Sequence, residues 1–237
     1  VFDIFVLLDD VRRLGYVIFQ SSDLTRSATL VSIGLVVGTL PNILFLLGMF
    51  IGPYRYRVKE TSIVLPNLPK AFEGLKIVQI SDIHSGSFYN KKAVTKGVDL
   101  ILKQDPDVVF FTGDLVNDDA KEMDDYKSIF GRVKAPMGVF SILGNHDYGD
   151  YVQWPNAEAK AENLQALKDV HGDMGWRLLL NEHLYLEQNN ERIGLIGVEN
   201  WGVGFHKAGD LAKAHEGCEA PIKLLLSHDP THWDEQV

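Results

Sequence analysis

A chain of 237 residues with 46% hydrophobic content has room for one large packed domain or two small ones. Its formal net charge of −9 argues against a nucleic-acid-binding surface, which needs a basic stripe to neutralise phosphates. The single cysteine, Cys218, excludes an intrachain disulfide framework and a cysteine-rich zinc module, and leaves that thiol a packing or surface role.

The first segment, 1–26, opens with the largely apolar "VFDIFVLL", Val1 to Leu8, before Asp9, Asp10, Arg12 and Arg13. It reads as the end of an earlier membrane helix or as a short interfacial helix. Ser27 to Pro53 then carries no charged residue, with Arg26 before it and Arg55, Arg57 and Lys59 after. That is long enough to cross a bilayer, so 27–53 is predicted to be a transmembrane helix kinked at Pro41, and the protein is placed at the cell membrane. A buried soluble helix rarely stays uncharged on every face for so long, and a signal peptide has a shorter apolar run. Basic residues flank the run on both sides, so they assign no orientation.

Residues 54–74, with the proline-stiffened "LPNLPKAFEGL", are expected to form a linker and a first strand leading into a catalytic domain at 75–237. Within that domain "LKIVQI" precedes a helical pattern over 91–103, "DVVFF" precedes one over 121–133, and "GVFSIL" precedes one from Pro155 to near Gly172. Shorter strands follow in "WRLLL", "HLYLEQ", "RIGLIGV" and "IKLLL". Alternation of this kind is the pattern of an α/β fold with crossover helices.

Polar residues collect where these strands stop, which is where open α/β sheets place their ligands. "LKIVQI" runs into Asp82 and His84, "DVVFF" into Asp114, "GVFSIL" into Asn145, His146 and Asp147, and "IKLLL" into His228. Carboxylate, amide and imidazole donors without thiolate suit divalent ions such as Mn²⁺, Fe²⁺ or Zn²⁺. Asp82, Asp114 and Asp147 at one rim would repel one another without bound positive charge, which a metal pair supplies.

The series "SDIH", "GDLVND", "GNHD" and "SHDP" resembles the motifs of the calcineurin-like metallophosphoesterases, and the hydrophobic N-terminal region followed by "VLPNLPKAFEGLKIVQISDIHSG" is similar to a membrane-associated bacterial branch. The resemblance implies a two-sheet α/β sandwich. By position it implies that Asp82 and His84 bind one metal, Asp114 bridges two, and Asn145 and His228 bind the second. Two ions about 3.5–4 Å apart would activate a hydroxide that attacks a phosphodiester, phosphomonoester or pyrophosphate. His146 is then expected to meet the substrate as general acid, with Asp147 orienting its ring; the competing roles are a metal ligand for His146 and a turn or cap for Asp147. The expected partners are a phosphorylated small-molecule or lipid-linked substrate and the membrane.

One departure stands out. The family pattern continues into a Gly-His-x-His motif that completes both metal shells, and no such motif occurs here before Val237. With Val1 at the start, the expectation is a fragment of a longer protein. The alternative function is a metal-poor, membrane-bound scaffold, whereas a transporter would need several spanning helices with intramembrane polar residues. His171, His183, His206, His215 and His232 follow no apolar strand directly and are expected on the surface or in packing. Trp201 in "VENWG" is expected as a substrate wall or as core.

Overall fold

The computed structural model describes residues 2–18 and 27–237, in two compact units, 1–57 and 58–237. Val1 and residues 19–26, with the flanking Arg26, lie outside the described residues.

In the first unit, α1 (Phe2–Ile18) packs against α2 (Ala28–Phe50). Ser27 caps α2 by accepting from the Leu30 N–H, and the Ser27 N–H donates to Asp9, which is fully buried and also receives Arg12 Nε. Helix α2 runs through Pro41 without a break. Near the proline, Thr39 Oγ1 donates to the Leu35 carbonyl and Asn42 Nδ2 to that of Gly38, so side chains add bonds where the ring removes a donor. Its apolar side chains are exposed almost throughout, and it is long and apolar enough to cross a membrane. Mixed α/β structure behind one such helix is the architecture expected.

The second unit holds two sheets. The first is parallel, in the order β1 (Ile77–Ile80), β2 (Val108–Thr112), β3 (Val139–Ile142) and β4 (Arg177–Leu178). Helix α3 (Lys91–Leu102) links β1 to β2, and the short α4 (Lys127–Phe130) lies between β2 and β3. Helix α5 (Ala157–Asp173) leads to β4. The second sheet, β5 (Glu182–Gln188), β6 (Glu191–Gly197) and β7 (Lys223–Leu226), pairs antiparallel between β5 and β6 and parallel between β6 and β7. Helices α6 (Leu211–His215) and α7 (Thr231–Gln236) flank β7 in sequence.

The core lies between the sheets, where Val108, Phe110, Phe140 and Ile142 of the first meet Leu186, Ile193, Leu195 and Leu226 of the second, with Leu179 and Phe72 among them. Alternate residues of β2 turn the other way: Phe111 lies 5.4 Å from the Trp176 ring and 5.9 Å from the His171 ring of α5. Strand β2 is buried on both faces, which is why its sequence is continuously apolar rather than alternating.

Two elements differ from expectation. Residues 54–74 begin at the end of a 3-10 turn, Gly52–Tyr54, and contain another at Lys70–Phe72 but no strand, and the first strand starts at Ile77. The helix predicted over 121–133 is broken into a 3-10 turn, Ala120–Met123, and α4. A capping box between Asp119 and Glu122 starts a turn there, and the Glu122 carboxylate is engaged by the preceding loop.

Candidate metal centre

Strands β1, β2 and β3 run parallel, as do β6 and β7, so the loops after β1, β2, β3 and β7 can bring their first polar residues to one place. After β1 the backbone takes positive φ at Asp82 (53°) and His84 (46°), and after β2 at Gly113 (98°) and Asp114 (61°). These residues zip the loops together: the Asp82 N–H donates to the Gly113 carbonyl, His84 to Asp114, and Ser85 to Leu115. Left-handed backbone costs Asp and His less than branched residues, and such strain gathers where surrounding bonds hold it at functional sites. Gly113 and Gly144 touch here. A Cβ on Gly113 would lie 2.5 Å from the Gly144 nitrogen, and one on Gly144 would collide with the Asp114 carboxylate.

Asp114 sits at the middle, 3% exposed. Its Oδ2 is 3.4 Å from His84 Nε2 and 3.3 Å from His228 Nε2, and its Oδ1 accepts the His146 N–H at 2.9 Å. Among the described residues two groups bring their donor atoms within 4.8 Å of one another, His84–Asp114–His146 and Asp82–Asp114–His228, and Asp114 belongs to both. Asn145 Oδ1 joins the second group, 3.1 Å from His228 Nε2. Donors bound about 2.1 Å from one ion, at tetrahedral or octahedral angles, lie about 3.0–3.5 Å from each other, so these separations suit a divalent ion and the oxygen and imidazole donors fit its chemistry. The structure brings Asp82 to His228, where the resemblance pairs it with His84.

Burial alone would raise the Asp114 carboxyl, but the hydrogen bond and charge of His228 and the His146 N–H hold it below the usual carboxylate range. Burial would lower His228, yet its bond to Asp114 and the Thr112 carbonyl, 2.7 Å from Nδ1, lift it to about 9. Each partner thus favours the charged form of the other.

The two residues after Asn145 divide differently from expectation. His146 Nδ1 meets the Asn117 carbonyl at 2.8 Å, which leaves Nε2 to face His84 and Asp114. The His146 and His84 rings stand edge to face, 4.7 Å apart. Asp147 does not orient that ring. Its fully buried carboxylate accepts the N–H groups of Asp114, Leu115, Val116 and Gly144, so it pins the metal loops from beneath. Burial pushes its carboxyl up to about 7 against the pull of these donors.

Sequence reasoning missed two residues. Glu122 accepts N–H bonds from Gly86, Asn117, Asp118 and Asp119, tying the loop after β1 to the loop that orients His146. Its signal was legible as Asp-x-x-Glu, a capping box. Tyr151 stacks on His146 and receives Asn145 Nδ2, and nothing in the local sequence marks it.

The other histidines lie in packing or bonded positions, as expected. His171 is buried, His183 Nδ1 bonds the Ala214 carbonyl, His206 stacks on Tyr148, His215 meets Lys223, and the buried His232 bonds Ser227 Oγ. Cys218 packs with Ile196, Val198 and Ala214. Trp201 carries Lys207 Nζ 4.2 Å over its ring and lies beside His232.

The calcineurin-like phosphoesterase family profile matches residues 75–235, the stretch that carries all of these loops. The chain belongs to that family. Its members use divalent metals to hydrolyse phosphoesters, and the Asp114-centred groups are its candidate metal-binding residues here. Similar proteins include a transmembrane protein with metallophosphoesterase domain from Danio rerio, 27% identical over 73% of this chain and 39% of its own. An uncharacterized metallophosphoesterase of Aquifex aeolicus is 32% identical over 75% of this chain and 63% of its own, and one of Helicobacter pylori is 33% identical over 77% and 45%. The chain thus spans less than two thirds of the length of these relatives.

Proposed function

We propose that this protein is a membrane-anchored phosphoesterase in which Asp82, His84, Asp114, Asn145 and His228 hold two divalent ions of the Mn, Fe or Zn type. The observation that carries this reading is Asp114 Oδ2, flanked by His84 Nε2 at 3.4 Å and His228 Nε2 at 3.3 Å: one carboxylate facing two imidazoles from different loops can serve two ions. When bound, such ions supply a hydroxide nucleophile at neutral pH and offset the phosphoryl charge. His146, in its doubly protonated form, donates the Nε2 proton to the leaving oxygen, while its Nδ1–H donates to the Asn117 carbonyl and so holds the ring in place. Asp147 holds the loops, and through them Asn145 and Asp114, in place.

The substrate is a phosphodiester, phosphomonoester or pyrophosphate. Helix α2, with its exposed apolar surface, supports anchoring at the cell membrane, as does the transmembrane name of the Danio rerio relative. Anchoring favours a lipid-linked phosphate by proximity.

Metal content and hydrolysis of model phosphoesters, measured together, test the reading. Chelation should abolish activity, and Asp114→Ala should lose both ions. His146→Ala should keep both ions and lower kcat by roughly 10²–10⁴, with a smaller loss for nitrophenolate leaving groups that need no proton. Full metal content in Asp114→Ala would remove it from the bridge. Metal loss in His146→Ala would make that ring a ligand instead of an acid.

A further inference from the structure

Tyr151 joins two parts of the centre that have separate tasks. Its hydroxyl oxygen accepts Asn145 Nδ2 at 2.7 Å, its ring lies stacked on the His146 imidazole at 4.3 Å with 28° between planes, and its own N–H donates to Asp118 Oδ1 at 3.0 Å. Tyr151 is 51% exposed, so the core does not demand an aromatic side chain at this position.

The two ends of an Asn amide have nearly the same shape but opposite chemistry: one oxygen accepts, and the nitrogen only donates. A cation needs the oxygen. Sterics do not choose between the ends, so a hydrogen-bond partner must. Here the nitrogen is taken by the phenol, and the oxygen is left 3.1 Å from His228 Nε2, in the donor group around Asp114.

We propose that Tyr151 is a positioning residue: it pins the amino end of Asn145 so that Oδ1 faces the donor group of His228, and its ring holds the His146 imidazole upright beside the other group, that of His84 and Asp114. The proposal rests on the two-ion reading above. Hydrogen bonds that orient metal ligands typically contribute 10–100-fold in affinity. One side chain then couples occupancy of the second site to the proton donor.

The test is calorimetric titration of the metal-stripped protein with Mn²⁺, alongside kinetics and thermal melts. Tyr151→Phe removes the hydroxyl and keeps the stacked ring. It should weaken one of the two Mn²⁺ ions by roughly 10–100-fold and spare the other, with activity recovered as Mn²⁺ is raised. Tyr151→Ala should show the same metal defect and, in addition, a lowered kcat that excess Mn²⁺ does not recover, because His146 has lost its stack. Wild-type affinity for both ions in Tyr151→Phe overturns the proposal and leaves the two-ion reading standing. Equal weakening of both ions with a lowered melting temperature also overturns it, since that marks a structural role only. Fewer than two Mn²⁺ bound by the wild type would overturn the two-ion reading, and this proposal with it.

Discussion

At the scale of single residues, this protein spends unfavourable conformations and environments on particular side chains. Asp82, His84 and Asp114 hold positive φ under the loop-to-loop hydrogen bonds that converge on the metal centre. His171 is an analogous case away from the site: fully buried on α5 among Phe111 and Trp176, it is held neutral, and burial lowers its pKa from 6.5 to about 3. Because the unfolded chain takes up this proton below pH 6.5 and the folded one does not until near 3, stability should fall as pH drops through that window. Between pH 8 and pH 5 the loss from this one group is about 2 kcal/mol. His171→Phe should remove that part of the pH dependence, read as the change in urea midpoint between the two pH values. An unaltered difference between pH 8 and pH 5 would show that His171 is protonated in the fold.

At the scale of elements, strands deliver the ligands and loops fix them. Strands β1, β2, β3 and β7 each end two or three residues before a candidate ligand, so the sheets set where the donors arrive. The loops are then held by two acidic hubs, Asp147 beneath the centre and Glu122 beside it, each accepting four backbone N–H groups. Removing the Glu122 acceptor leaves four donors unpaired in a partly buried loop, at roughly 1–3 kcal/mol of stability. Glu122→Ala should therefore lower the urea midpoint and also lower kcat with both ions retained, because the Asn117 carbonyl that holds the His146 ring loses its support. Glu122→Gln, with one acceptor oxygen left, should fall between. A Glu122→Ala protein that is destabilised but keeps its kcat would separate the hub from catalysis.

At the scale of the whole molecule, the chain divides into a helical unit and an α/β unit at residues 57 and 58. The core residues between the two sheets, Phe72 included, all lie after the division. A chain beginning at Lys59 should accordingly be soluble and cooperatively folded, while the chain that retains α2 should partition into membranes or detergent micelles. Recovery of the Lys59 chain in the membrane fraction without aggregation would point to another anchoring surface.

Sequence alone determined the α/β character, the apolar helix, the strand ends and the residues offered there, because burial writes continuous apolar runs and the donors must follow directly after them. Asp82, His84, Asp114, Asn145, His146 and His228 were legible as candidates for that reason, while a bridging role for Asp114 came from the family resemblance. The tertiary structure decided what each partner does. It gave Asp147 to the backbone of the loops and the His146 ring to the Asn117 carbonyl, brought Asp82 to His228, broke the helix expected over 121–133, and set Tyr151 against Asn145 and His146. Hydrogen bonds between loops distant in the chain leave no periodic trace, since one donor and one acceptor suffice and most loop residues offer both.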